Sequence, residues 1–69
     1  MNTPTPRVGV VGLGRFGAAI AERLAREGAL AAVCDLDPAR RARFGDVPAF
    51  ADLLDLLAAD AVQAVVLAT

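Results

Sequence analysis

The sequence contains no histidine, lysine, serine, tyrosine or tryptophan, and only one cysteine. Each absence removes a class of chemistry. Without histidine, lysine or tyrosine the chain loses the commonest general acids and bases and the Schiff-base amine, and without serine a common nucleophile. One cysteine and no histidine put a zinc site out of reach, so no metal is expected. The lone Cys34 also excludes an internal disulfide and points to the reducing cytoplasm. All seven basic residues are arginines, the formal charge is −1, and no basic stripe stands out. That argues against a nucleic-acid partner or a membrane-surface patch. No apolar run approaches the ~18 residues of a membrane span. The opening "MNTPTPR" lacks the apolar core and cleavage site of a secretory signal. Carboxylates and one thiol remain, so the chain looks equipped to bind, and no catalytic residue is assigned within it.

What is present is apolar and small. The hydrophobic fraction is 57% over 69 residues, much of it alanine. That suffices for one small domain of modest stability, burying about 60% of its unfolded surface. Residues 1–6 read as a disordered or extended lead-in, because Pro4 and Pro6 oppose a helix. Arg7–Val11 reads as a short buried strand, rich in β-branched valine. Phe16 to about Glu27 has Phe16, Ile20 and Leu24 at helical spacing, with Gly28 placed to end the helix. "ALAAVCD" (29–35) reads as a central parallel strand. Asp37-Pro38 is an N-cap followed by proline at the first helical position, opening a short helix. "VPAF" (47–50) is a very short edge strand. Asp52 caps a third helix, Leu53 to about Ala59, with Asp55 and Asp60 as its other capping and dipole residues. Ala64 to Ala68 is a fourth strand.

The order β-α-β-α-β-α-β predicts an α/β fold with right-handed crossovers. It is expected to be a partial doubly wound, or Rossmann, parallel sheet of four strands in the order 3-2-1-4, spanning residues 7–69. The ligand crevice is expected between the first and fourth strands, above their C-terminal ends.

The chemistry concentrates in Gly12-x-Gly14-x-x-Gly17. Alone, this spacing is weak evidence. Here it leaves a strand, enters a helix and is followed, about twenty residues after its last glycine, by Asp35 at a strand end. Gly12 permits the tight turn, Gly14 lets backbone approach a pyrophosphate, and Gly17 lets helix and sheet pack closely. The N–H groups near Arg15 and Phe16 lie at the helix N-terminus, where a bound anion is favoured. Asp35 is placed to accept the adenosine ribose hydroxyls and to repel a 2′-phosphate, favouring NAD over NADP. Arg40 and Arg41 read as a solvated helix face; the alternative has Arg40 swinging over a 2′-phosphate. The Arg15 side chain is placed either on a phosphate oxygen or in solvent. The Phe16 ring is expected to pack in the core beneath the turn, and Cys34 to be a small buried hydrophobe.

Four blocks, "RVGVVGLGRFG", "AAVCDLDPARRARF", "PAFADLLDLL" and "AVQAVVLAT", resemble successive stretches of the Gfo/Idh/MocA oxidoreductases, a family of sugar and cyclitol dehydrogenases. The resemblance runs from Arg7 onward, although the second helix is shorter than is usual there. It implies an NAD(P)-binding domain in which Gly12, Gly14 and Gly17 form the phosphate loop and Asp35 binds ribose. Ala68 and Thr69 would line the nicotinamide side. The family's hydride-transfer lysine, in a Glu-Lys-Pro motif, and its substrate-binding C-terminal domain come later than Thr69. The chain is therefore expected to be an N-terminal piece, inactive alone, meeting a small-molecule substrate only with that second domain. A homo-oligomer is expected, because Val65-Val66-Leu67 would form an open apolar edge. "GLGRFG" also resembles the nucleotide-binding regulatory domains of potassium channels and transporters, which bind NAD or ATP without catalysis. "CDLDPAR" and "PAFADLLDLL" speak against that alternative.

Overall fold

A strand-forming valine run, a glycine turn and an amphipathic helix follow one another at the start of the described chain. The computed structural model describes residues 5–69, so the first four residues of the expected lead-in lie outside it. The elements are β1 (Val8–Val11), α1 (Arg15–Arg26), β2 (Leu30–Cys34), α2 (Pro38–Ala42), β3 (Ala49–Phe50), α3 (Leu53–Ala58) and β4 (Ala64–Leu67). Every pairing is parallel and the sheet order is β3-β2-β1-β4. The alternating pattern and the strand order thus agree with the sequence reading. Boundaries move by a residue or two, and "VPAF" contributes only Ala49 and Phe50 to the sheet.

Alternation along each strand divides the core in two. Val10 and Val33 face α1 and pack with Leu13, Ala18, Ala21 and Phe44. Ala32 and Cys34 face the other way and pack with Leu56 of α3, joined by Val11, Phe50 and Val65. The sheet is therefore covered on both faces, which is why its central strands read as continuous apolar runs.

The helix ends are made as the residue types dictate. The Asp37 side chain accepts the Ala39 N–H at 2.8 Å, and Asp52 accepts the Leu54 N–H at 2.7 Å. α1 ends on Gly28 at φ +74°, with the Ala29 N–H bonded to Leu24 O and the Gly28 N–H to Ala25 O. This closing pair satisfies two terminal carbonyls and favours glycine at the left-handed position. Asp60, at φ +53°, ends α3 through its backbone.

Phe16 corrects the sequence reading. It is 72% exposed, not packed beneath the turn. α1 buries Gly17, Ala18 and Ala21. Phe16 lies about 100° around the helix from Gly17, outside the arc that meets the sheet. Leu13, in the turn itself and 2% exposed, fills the core place expected of Phe16.

Candidate functional site

The glycine turn joins the C-terminal end of β1 to the N-terminus of α1. Gly12 has φ +93°, and a Cβ there would lie 3.0 Å from both Ala68 O and the Thr69 methyl. Gly17 is tighter: its Cβ would stand 1.7 Å from Gly12 O and 3.2 Å from the Ala68 Cβ. Ala68 is held there by its own N–H bond to Val11 O at 2.8 Å. So Gly12, Gly17, Ala68 and Thr69 converge where β1 and β4 end. Gly14 differs, since a Cβ there would meet nothing nearer than the Arg40 guanidinium at 3.9 Å. That space opens outward from the turn.

Gly14 is the N-cap of α1, and no side chain caps this helix. The first bond back to the cap is made by the Ala18 N–H to Gly14 O. The N–H groups of Arg15, Phe16 and Gly17 lie before that bond and have no partner within the helix. α2 and α3, by contrast, have aspartate caps. The helix that follows the glycine turn keeps its positive end open, which suits an anion. The Arg15 side chain is exposed and makes no ion pair among the described residues.

Asp35 stands one residue past β2, and its carboxylate is 10% exposed. One oxygen accepts the Leu13 N–H at 2.7 Å and the other the Asp37 N–H at 2.8 Å. These N–H bonds, from Asp37 and then Leu13, hold its pKa below the usual carboxylate value. Partial burial opposes them, and the Arg40 and Arg41 charges assist. The Arg40 guanidinium reaches to 3.8 Å from Asp35 Oδ2 and 3.8 Å from Asp37 Oδ2, with its side chain 53% exposed. The structure thus brings Gly14, Asp35 and Arg40 together.

Arg41 corrects the reading of the arginine pair as a solvated face. It is half-buried, and its guanidinium donates to Asp35 O at 2.7 Å and Leu36 O at 3.2 Å. Nothing in the helical spacing distinguishes it from Arg40; the strand end it reaches is five and six residues back.

A depression of about 260 Å³ lies over the strand ends, lined by Val11, Gly12, Asp35, Leu36, Leu53 and Thr69 among others. It spans the ends of β1, β2 and β3 and reaches Thr69, two residues past the end of β4. Leu36, Ala51 and Leu53 are lining residues that the sequence reading missed; their signal was position at strand-to-helix corners. Cys34 lines the floor and is buried. Burial first, then the Asp52 and Asp35 charges, push its thiol pKa up, which disfavours the thiolate form. A larger groove of about 400 Å³, between α1 and the α2–β3 connection, is floored by Leu30, Phe44 and Val47 at the other end of the sheet.

A parallel sheet ordered 3-2-1-4, a glycine turn beneath an uncapped helix and an acid at the second strand end define a dinucleotide-binding domain. The model of the oxidoreductase family with an NAD-binding Rossmann fold, Gfo/Idh/MocA, matches residues 6–69, and the chain belongs to that family. Among solved structures, it is similar to the WlbA dehydrogenase from Bordetella pertussis, in complex with NADH and UDP-GlcNAcA. Identity is 29% and the TM-score 0.83, over 100% of this chain and 22% of that one. It is also similar to the WlbA dehydrogenase from Chromobacterium violaceum, in complex with the same two ligands. There identity is 28% and the TM-score 0.78, over 100% of this chain and 24% of that one. The chain thus spans under a quarter of each. No curated protein matches it. The potassium-transport alternative is not favoured by these likenesses.

Proposed function

We propose that residues 7–69 form the adenosine- and pyrophosphate-binding part of an NAD-dependent dehydrogenase acting on a CH–OH group of a sugar or related substrate. The substrate class rests on the family and on the UDP-sugar carried by both similar structures. One observation carries the binding role: among the described residues α1 alone of the helices has no side-chain cap, with space standing open at Gly14 beside it. In this reading the α1 N–H groups and the Gly14 backbone hold the pyrophosphate. The Asp35 carboxylate, two of its lone pairs already used, accepts the ribose hydroxyls with the others. Its charge disfavours a 2′-phosphate, so NAD is preferred to NADP. Arg40 stands beside the Asp35 and Asp37 carboxylates, Arg15 and Phe16 present the first turn of α1, and Ala68 and Thr69 close the side toward β4. A bound nicotinamide supplies the hydride chemistry. The residues of this chain bind and orient, and no catalytic role is assigned to them.

The test is Gly14→Ala. The backbone at Gly14 is extended, φ −66° and ψ −169°, and its Cβ would find open space. Thermal stability should therefore stay within about 1 kcal/mol of the wild type. NADH affinity should fall about tenfold or more, or 1.4 kcal/mol, because the methyl occupies the phosphate's place. Unchanged affinity in a folded variant would refute the reading.

A further inference from the structure

The three arginines of "PARRAR" have three different fates. Arg43 pairs with Glu22 at 2.9 Å on the surface. Arg40 hangs between two carboxylates, those of Asp35 and Asp37. Arg41 turns back and donates to two consecutive carbonyls, Asp35 O and Leu36 O. Both carbonyls lie past Cys34, where β2 ends.

The turn they belong to is anchored to the sheet at Asp35, whose N–H donates to Phe50 O at 3.0 Å and whose carboxylate accepts the Leu13 N–H, while the Leu36 carbonyl is held by Arg41. α2 is five residues long and buries none of them. Leu36 is 85% exposed, so the turn has no apolar anchor of its own. Beyond Asp35 its geometry rests on hydrogen bonds: the Asp35 carboxylate accepts the Asp37 N–H, the Asp37 carboxylate the Ala39 N–H, Asp37 O the Arg40 and Arg41 N–H groups, and the Arg41 side chain donates to the two carbonyls. Among the described residues, Arg41 is the one side chain that donates to this backbone.

We infer that Arg41 is a positioning residue for cofactor discrimination, holding the Asp35–Leu36 backbone so that the Asp35 carboxylate faces the adenosine ribose. The inference rests on the dinucleotide reading above. A carboxylate with both oxygens held by N–H donors has a fixed orientation, and its remaining lone pairs meet a 2′-hydroxyl or repel a 2′-phosphate. Without the clamp the Asp35–Leu36 backbone relaxes, and with it the Asp37 N–H that holds one carboxylate oxygen, so the carboxylate loses its fixed orientation. NADH then loses ribose hydrogen bonds, while NADPH loses much of its repulsion.

Affinities for NADH and NADPH are measured on the 69-residue chain by amide chemical-shift titration, in the wild type and Arg41→Ala. The wild type should prefer NADH, and the variant should lose that preference by about fivefold, the worth of an ordinary hydrogen bond. The sign of the change discriminates. Loss of a cation alone would weaken the more highly charged NADPH further and raise the preference. A merely structural role would weaken both cofactors equally. Either result overturns the inference. If Arg41→Ala does not fold, Arg41→Met, which keeps the aliphatic stem without the donors, is judged by the same ratio. A wild-type chain that binds neither cofactor would sink the dinucleotide reading and this inference together. Binding with an unaltered ratio would sink the inference alone.

Discussion

Asp35 and Leu13, 22 residues apart, are joined by a 2.7 Å hydrogen bond from the Leu13 N–H to the Asp35 carboxylate. The bond ties the glycine turn after β1 to the end of β2, so one carboxylate shapes both halves of the candidate site. Because that carboxylate is stabilised in its charged form, it also links the fold to pH.

The folded-state pKa of Asp35 lies below its ordinary value of 3.8. A depressed carboxylate stabilises the fold fully above the unfolded pKa and loses that contribution as pH falls through the folded one. Asp35→Asn should therefore be less stable than the wild type at pH 7, with the gap closing below about pH 4. Urea midpoints for both proteins at pH 7 and pH 3 check this. A gap of equal size at both pH values would contradict it.

Gly17→Ala should behave unlike Gly14→Ala. Its Cβ would overlap the Gly12 carbonyl, which is backbone and cannot rotate aside. The expected cost is about 3 kcal/mol or more, a large share of the stability of so small a domain. Melting curves of the two variants should separate clearly; coincident curves would mean the turn is looser than described.

Leu56 is fully buried on the α3 face, and its methyls come within 3.6 Å of where a Cβ on Gly9 would stand. Leu56→Ala should cost about 2–5 kcal/mol through lost burial and the cavity left behind. Leu57→Ala, half exposed one residue along, should cost far less. Equal denaturant midpoints for the two variants would overturn the assignment of the core face.

β4 pairs with β1 on one side only and presents Ala-Val-Val-Leu, without charge or proline, on the other. Leu67 is 67% exposed. Such an edge recruits further strands, so the 69-residue chain should self-associate, and Leu67→Lys should reduce this. Sedimentation at tens of micromolar decides it: a clean wild-type monomer would remove the basis for an oligomer.

The parts of the fold that were legible are those set by neighbours in sequence. Asp37-Pro38 and Asp52 announced their helices because a cap acts within three residues. The strands were readable because burial on both faces leaves unbroken apolar runs. The errors share a cause too. Phe16 fits a helical apolar stripe, yet the sheet meets α1 along Gly17, Ala18 and Ala21. Arg41 lies beside Arg40 in the same short helix, and only the tertiary path of the strand end separates a clamp on two carbonyls from a guanidinium paired with two carboxylates. The Leu13–Asp35 bond has no local pattern at all. The placement of the glycines at the turn and of the acid at the strand end was readable from spacing, while the lining of the depression by Leu36, Ala51 and Leu53 depends on how the corners meet.

The missing cap on α1 has a thermodynamic consequence. A helix whose first N–H groups await an anion is, without one, an unfinished element, and whatever occupies that place completes the fold. Ligand concentration then becomes a determinant of stability: at a hundred times its dissociation constant a bound dinucleotide adds about 2.7 kcal/mol. For a chain of 69 residues, that is enough to shift the balance between a folded chain and one cleared by proteases.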